Sequence, residues 1–382
     1  MQLSRRPVLG VVGAGQLARM LQQAAIGIDV DLRLLAASAS DSAALVIPST
    51  IVGDERGLPD LQRLADQVDV MTFDHEHVPT DHLHTLQGAG AVLRPGPHAL
   101  PFATDKSVMR RGLRGFGLPV PTFRVIEDAS ALPQAVQEVG GWPVMLKAAR
   151  GGYDGRGVWL VEGPDDAGDA FRARTPVVVE QRVPFVRELS AVVARSPSGQ
   201  AVAYPVAESV QREGICVEVL APAPGLGEDT ALAAQRLALE VARDIDVVGV
   251  LAVELFELPD GSLLVNELAM RPHNTAHWTI DGAVTSQFEN HIRGVLDLPL
   301  GSPRPLAPAV VMVNILAGQA TEVHQALPHV MAHEPEARIH LYGKQPRPGR
   351  KIGHVTALGN DVDELRARAR RVAEGISGQA LA

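Results

Sequence analysis

Short wholly apolar runs alternate with stretches in which apolar positions recur every three or four residues, and this exchange of periods sets the order of elements. Val8 to Val12 contains no polar residue, as a strand covered on both faces requires, and after Gln16 the pattern changes to Leu17, Leu21 and Ala25, the spacing of one helix face. The exchange repeats. Leu32 to Ala36 and Ile51-Val52 read as strands, Leu58 to Gln67 as a helix, and Val68 to Phe73 as another strand. Strands alternating with helices predict a parallel sheet. Leu93 to Pro101 then brings three prolines and a glycine together, which predicts a domain boundary.

Beyond the boundary the strand patterns come in groups, and the expected class shifts from pure α/β towards α+β. A helix opens at Lys106 with Thr104 or Asp105 as its cap. Phe123 to Ile126, Trp142 to Lys147, Val158 to Val161 and Pro176 to Gln181 read as strands, with a helix over Leu132 to Val139. Leu189 to Ala194 is expected to pair with Ala201 to Val206, and Glu228 to Arg243 is helical. Val250 to Leu258 and Ser262 to Leu268 form a hairpin. In the tail, Val310 to Leu316 is a strand, a helix-like stretch lies around Val323 to Leu327, and an amphipathic helix runs from Asp361 to Glu374. The expected division is 1–100, 101–305 and 306–382.

Composition narrows the functional classes. A chain of 382 residues is long enough for two or three domains, and 46% hydrophobic with 21% charged residues is ordinary for a globular protein. The formal net charge of −9 argues against a broad nucleic-acid footprint. Cys216 is the only cysteine, so neither an intrachain disulfide nor a cysteine metal cluster can form, and a small buried hydrophobe is its expected role. The N-terminus runs into the first strand without a long apolar segment, and no run approaches the roughly 18 apolar residues of a membrane span. A cytoplasmic protein is expected.

Candidate chemistry gathers at a few places. Arg150-Gly-Gly-Tyr-Asp-Gly-Arg-Gly157 lies between two strand patterns, and its glycines let backbone N–H groups converge on an anion, although glycine also punctuates ordinary hairpin loops. Gly13-Ala-Gly-Gln-Leu-Ala18 opens a Rossmann-like unit, yet the second strand ends in Ala-Ala-Ser, without the acidic residue that holds a ribose in NAD sites. It reads instead as a close turn able to touch an anion at the helix N-terminus. At the end of the Val68 to Phe73 strand, Asp74, His75, Glu76 and His77 alternate faces if the strand continues, which disfavours a metal and leaves Glu76 either as a substrate carboxylate or as a solvated loop charge. Lys106 reads locally as a solvated lysine.

The hairpin carries the sharpest signal. A two-residue Asp260-Gly261 turn places Glu254 directly opposite Glu267, whereas a three-residue Pro259-Asp-Gly loop would oppose Glu254 to Asn266. Opposed like charges destabilise a sheet, so the pair suggests a cation between oxygen ligands, Mg2+ or Mn2+. Arg271, His273, Asn274 and His277 follow directly, a loop suited to substrate contact. Further on, Lys344, Arg347, Arg350 and Lys351 fall within eight residues and read as a phosphate pocket.

With these segments in line the chain resembles the ATP-grasp family over nearly its whole length, on Gly13 to Leu21, Thr72 to Val78, Gly151 to Gly157, Asn266 to Trp278 and Arg347 to His354. The resemblance implies an ATP-grasp fold: an N-terminal Rossmann-like domain, two subdomains clasping ATP and a small C-terminal domain, usually as a homodimer. It implies ATP-dependent carboxylation of aminoimidazole ribonucleotide by bicarbonate through carboxyphosphate; a formate-dependent glycinamide ribonucleotide transformylase or a biotin-carboxylase-like enzyme is the alternative. By the same resemblance Lys106 and Lys147 meet the ATP phosphates, and Gly152, Tyr153, Asp154, Gly155, Arg156, Gly157 and Val158 form the loop over ATP. Glu180, Gln181 and Val183 line the adenine site, Glu188 the ribose and Gln211 a further nucleotide contact. Glu254 and Glu267 bind the metal beside Asn266. Glu76, Asp154, Arg156, His273 and Asn274 approach the acceptor ring and amine, and Lys344, Arg350 and Lys351 its phosphate. Asp154, Arg156, Lys147 and Arg271 are the expected catalytic residues. Lys106 stands where some members carry Arg, and Gln211 where some carry His.

Overall fold

The computed structural model describes residues 5–152, 156–172, 176–318 and 322–378. Among these residues the strands form three sheets. The first is parallel, in the order β3-β2-β1-β4, from β1 (Val8–Val12), β2 (Asp31–Ala36), β3 (Thr50–Val52) and β4 (Val70–Phe73), with helices α1 (Gln16–Gly27), α2 (Leu58–Ala65) and α3 (Thr80–Gly88) as connections. Both faces of β1 are buried, which is why its sequence shows no alternation.

The second sheet is antiparallel, β5-β8-β6-β7, from β5 (Phe123–Ile126), β6 (Val144–Ala148), β7 (Val158–Val161) and β8 (Val177–Gln181). Helices α4 (Pro101–Thr104) and α5 (Lys106–Gly115) precede it, and α6 (Leu132–Glu138) packs on β5 and β8. The Asp105 side chain caps α5 by accepting from the backbone N–H groups of Ser107 and Val108.

The third sheet has nine strands: β9 (Arg187–Arg195), β10 (Ala201–Ala203), β11 (Ala207–Arg212), β12 (Ile215–Ala221), β13 (Gly249–Glu257), β14 (Leu263–Ala269), β15 (Ala309–Leu316), β16 (Arg338–Leu341) and β17 (Lys351–Gly359). Its order is β14-β13-β9-β11-β12-β15-β17-β16, with β10 beside β9. The tail strands β15 to β17 therefore continue the sheet begun by β9 to β14 through the antiparallel pair β12 and β15. Helix α7 (Glu228–Asp244) covers β9 and β13; α8 (Thr279–Gly282) and α9 (Gln287–Val295) follow the hairpin; α10 (Val323–His333) and α11 (Val362–Ser377) complete the tail. Helix α11 is fastened to β12 by the buried Glu218 carboxylate, which accepts from Arg366 Nε at 3.0 Å and from Arg370 Nε.

Two local expectations are corrected here. The strand β4 stops at Phe73, so Asp74 to His77 belong to a loop and strand alternation does not separate their side chains. The α1 N-terminus also meets its anion inside the chain: Asp74 accepts from Gly15 N at 2.9 Å and from Ala18 N at 2.7 Å. A Cβ on residue 15 would come within 2.3 Å of Asp74 Oδ2, so any larger residue here displaces the carboxylate from the helix end.

Candidate active site

Side chains from α5 and the second sheet meet those of β14, the edge strand of the third sheet, and the junction between these two walls is called the cleft below. Lys106, at the start of α5, donates from Nζ to Glu267 Oε1 at 2.6 Å; Lys147, near the end of β6, donates to Asn266 Oδ1 at 3.0 Å. The Lys106 side chain is only 11% exposed, so it is not the solvated lysine its local sequence suggests.

Both acceptors face the lysines because of a bulge. Near the turn the hairpin pairs Leu255 with Val265, Phe256 with Leu264 and Glu257 with Leu263, the register of a three-residue loop, and Leu258 N donates to Ser262 O. A shift after Glu254 then restores Glu254 to Glu267, Val253 to Leu268 and Ala252 to Ala269. The two-residue turn is thus overturned while the carboxylate pairing it predicted is present. The extra residue, Asn266, lets consecutive side chains at 266 and 267 both reach the cleft.

The acid side of the cleft is electrostatically crowded. Glu188 on β9, Glu254 on β13 and Glu267 on β14 share the neighbourhood. Burial, with Glu267 and Glu188 nearby, pushes the Glu254 carboxyl up to about 8. Burial and Glu267 raise Glu188 to about 7. Burial also opposes ionisation of Glu267, but Lys106 and Lys147 outweigh it and hold its carboxyl below the ordinary range. Such a set fits a hard divalent cation, which removes the repulsion that raises Glu254. Among the described residues no three His, Cys, Asp or Glu side chains are already arranged around one point, so Glu254 and Glu267 would be only part of the shell.

Lys147 is held from behind. Its Nζ lies 2.9 Å from Glu180 Oε2, and Arg110 donates to the same carboxylate from Nε at 2.6 Å and Nη2 at 3.3 Å. Glu180, expected at the adenine site, therefore has its side chain committed to two cations in the protein interior. Val183 is buried and Gln181 half-buried beside it.

The glycine-rich loop joins β6 to β7 and is anchored where Ala148 N donates to Gly157 O at 2.8 Å. A Cβ at Gly152 would lie 2.6 Å from Arg156 O, so the two ends of the loop touch through glycine. Arg156 is exposed and Val158 half-buried. Tyr153, Asp154 and Gly155 lie outside the described residues.

The acceptor-side candidates form connected pairs. Arg271 Nε donates to Glu76 Oε2 at 2.8 Å and Met270 N to Glu76 Oε1 at 3.2 Å, tying the first sheet's loop to the end of β14. His75 turns instead to Glu55, with Nε2 and Oε2 2.7 Å apart. His273 Nε2 lies 3.6 Å from Glu254 Oε1 while its Nδ1 meets Thr275 Oγ1 at 2.8 Å; burial, with Arg271 and Lys351 close by, lowers its imidazole to about 3 and keeps it neutral. Asn274 exchanges hydrogen bonds with the buried Asn314 at 2.9 and 2.7 Å, an anchoring role for the loop. Gln211 donates to Ser209 Oγ at 2.9 Å, beside the buried Cys216. Of the basic run, Lys344 donates to Gln16 Oε1 at the start of α1, Lys351 begins β17, and Arg350 donates to Gln345 O at 3.2 Å.

Arg110, Asn314 and the β11–β12 hairpin were not singled out from the sequence. Arg110 is four residues after Lys106, a spacing that puts both on one helix face, and this was the available signal. The hairpin turns at Glu213-Gly214 with φ of 51° and 76°, and a glutamate in that conformation gives no turn signature.

Family models match three consecutive segments: the ribonucleotide synthetase preATP-grasp domain over residues 7–104, the ATP-grasp domain over 111–288, and the phosphoribosylaminoimidazole carboxylase C-terminal domain over 310–368. The chain is 52% identical over 378 residues to the N5-carboxyaminoimidazole ribonucleotide synthase of Mycobacterium tuberculosis (strain ATCC 25618 / H37Rv), covering 97% of this chain and 88% of that one. It is 46% identical to the synthase of Corynebacterium ammoniagenes, with 96% and 91% covered. Among solved structures, an ADP complex of an N5-carboxyaminoimidazole ribonucleotide synthetase superposes with a TM-score of 0.90 at 33% identity, covering 99% and 100% of the chains. The Aspergillus clavatus enzyme with ADP and 5-aminoimidazole ribonucleotide gives 0.89 at 30% identity, with 97% and 98% covered.

Proposed function

The chain belongs to the N5-carboxyaminoimidazole ribonucleotide synthase family, and from that premise we propose how its residues divide the work. It is an ATP-grasp ligase that carboxylates 5-aminoimidazole ribonucleotide with bicarbonate and releases ADP and phosphate, a step of purine biosynthesis. A bicarbonate oxygen attacks the γ-phosphorus as the bond to ADP breaks, giving carboxyphosphate. The exocyclic amine then attacks the carboxyl carbon, phosphate leaves, and the nitrogen gives up a proton.

Lys106 from α5 and Lys147 from β6 bring two positive charges to the phosphates, and in phosphoryl transfer such placement supplies most of the catalysis. Glu254 and Glu267, with Asn266 beside them, would hold Mg2+ or Mn2+, which when bound offsets charge on the transferring phosphate. Glu188 and Gln211 face the nucleotide's sugar and phosphates. Gly152 to Val158 covers ATP and keeps water from carboxyphosphate. Glu76, Arg271 and His273 line the acceptor side; His273, being neutral, accepts or donates without carrying charge to the amine. Lys344, Arg350 and Lys351 take the ribonucleotide phosphate, and Asp154 and Arg156 orient the amine.

The single observation that carries the reading is the pair of lysines crossing to Asn266 and Glu267. Coupled measurement of ADP release tests it. Turnover is expected with bicarbonate and aminoimidazole ribonucleotide together; a requirement for formate, or for another acceptor, would overturn it in favour of a different ATP-grasp enzyme. We place the protein in the cytoplasm as a homodimer, which light scattering of the purified chain checks.

A further inference from the structure

Arg110 is fully buried and its guanidinium is used on two walls at once. Nε and Nη2 take both oxygens of Glu180 on β8, and Nη1 donates to Val265 O on β14 at 3.1 Å. Val265 immediately precedes Asn266 and Glu267, and its own N–H donates to Pro119 O at 2.8 Å. The backbone leading into the bulge is thus held at both its N–H and its C=O, by Pro119 beyond α5 and by Arg110 on α5. Glu180, fixed by Arg110, in turn holds Lys147 through its second oxygen at 2.9 Å. One helix turn earlier, Lys106 reaches Glu267.

We propose that Arg110 is a positioning residue for the nucleotide site: its fork sets Glu180, which aims Lys147, and it sets the β14 backbone that presents Asn266 and Glu267. A planar fork does this and a point charge does not, because two carboxylate oxygens and a carbonyl must be satisfied in fixed directions. The inference rests on reading the cleft as the ATP site, and it predicts a specific kinetic split. Without Arg110, Glu180 is no longer fixed and draws its partner Lys147 out of line with Asn266, so ATP binding suffers while the ribonucleotide side, built from Glu76, Arg271 and His273, is unaffected.

The test uses the full-length protein with Arg110→Gln and Arg110→Lys, ADP binding by titration calorimetry, and Michaelis constants for both substrates. Arg110→Gln is expected to weaken ADP binding and raise the ATP KM about tenfold, and Arg110→Lys about fivefold, as for loss of a bidentate charged contact, with the ribonucleotide KM within about twofold. A folded Arg110→Gln protein with wild-type ADP affinity overturns the proposal, as does an equal rise in both KM values, which marks a merely structural role. Should Arg110→Gln not fold, Arg110→Lys decides by the same readings. Wild-type protein that fails to bind ADP would overturn the cleft assignment and this proposal together. Wild-type protein that binds ADP but does not carboxylate the ribonucleotide would overturn the acceptor alone.

Discussion

Lys106 and Glu267, 161 positions apart in sequence, meet at 2.6 Å with the lysine on the helix that precedes one sheet and the glutamate on the edge of another. The contact ties the two walls together, and with Lys147 close by it keeps Glu267 charged. The proposed function gives that glutamate both a metal and a lysine as partners, and its charge serves both.

Glu267→Gln keeps the shape and hydrogen-bonding capacity towards Lys106 but removes the charge. ADP release is expected to fall by about a hundredfold or more, the size of effect seen when one preorganised electrostatic partner is lost, while the melting temperature stays within about 5 °C. Near-normal turnover in the coupled assay would sink the metal assignment.

Acid stability should report on Glu180. Burial works against its ionisation, but Arg110 and Lys147 bring it down from 4.5 to about 2. The unfolded chain takes up the proton first, so this contribution is complete above the unfolded value and is lost as pH falls through about 2; it is of the order of 3 kcal/mol. Glu180→Gln leaves two buried cations without their anion and should cost about 3–5 kcal/mol at neutral pH. In urea unfolding at pH 7, 4.5 and 3, the gap between variant and wild type should narrow as the pH falls; a constant gap would show that the pair does not titrate with folding.

The Asp74 cap gives a local test of the first sheet. Asp74→Ala leaves Gly15 N and Ala18 N without their acceptor and should destabilise by about 1–2 kcal/mol, as other helix caps do. Gly15→Ala should cost a similar amount, since its Cβ would land 2.3 Å from the same carboxylate and push it off the helix end. Unchanged denaturant midpoints for Asp74→Ala would mean that water replaces the carboxylate at no cost.

For the loop, Asp154→Ala is expected to leave ADP affinity within about twofold and to lower ribonucleotide-dependent turnover at least about tenfold, the range for a positioned group that moves or orients a proton. Equal losses in calorimetry and turnover would assign the segment to the nucleotide alone.

The parallel sheet and its connections were legible because buried runs and helical spacing do not depend on distant partners. The bulge at Asn266 was not. It is fixed by contacts that the hairpin makes with Pro119, Arg110 and both lysines, and none of these is local. Lys106 looked solvated for the same reason, its partner being 161 residues away. Glu76 was legible as a carboxylate with a purpose, but its link to Arg271 appears only once the first sheet packs on the third. Strands β16 and β17 were hidden because β16 is only four residues long and the start of β17 reads as part of a basic turn, while their register is set by β15 beside β17 and by β17 beside β16.

The β12–β15 junction governs how the polypeptide can be assembled during synthesis. β12 ends at Ala221 and its partner begins at Ala309, so one flank of β12 has no neighbour while the intervening hairpin and helices emerge. A nascent chain halted before residue 309 would present an unpaired strand edge, the feature that invites chain-to-chain association. Ribosome-bound fragments ending before and after β15 should therefore differ sharply in protease resistance.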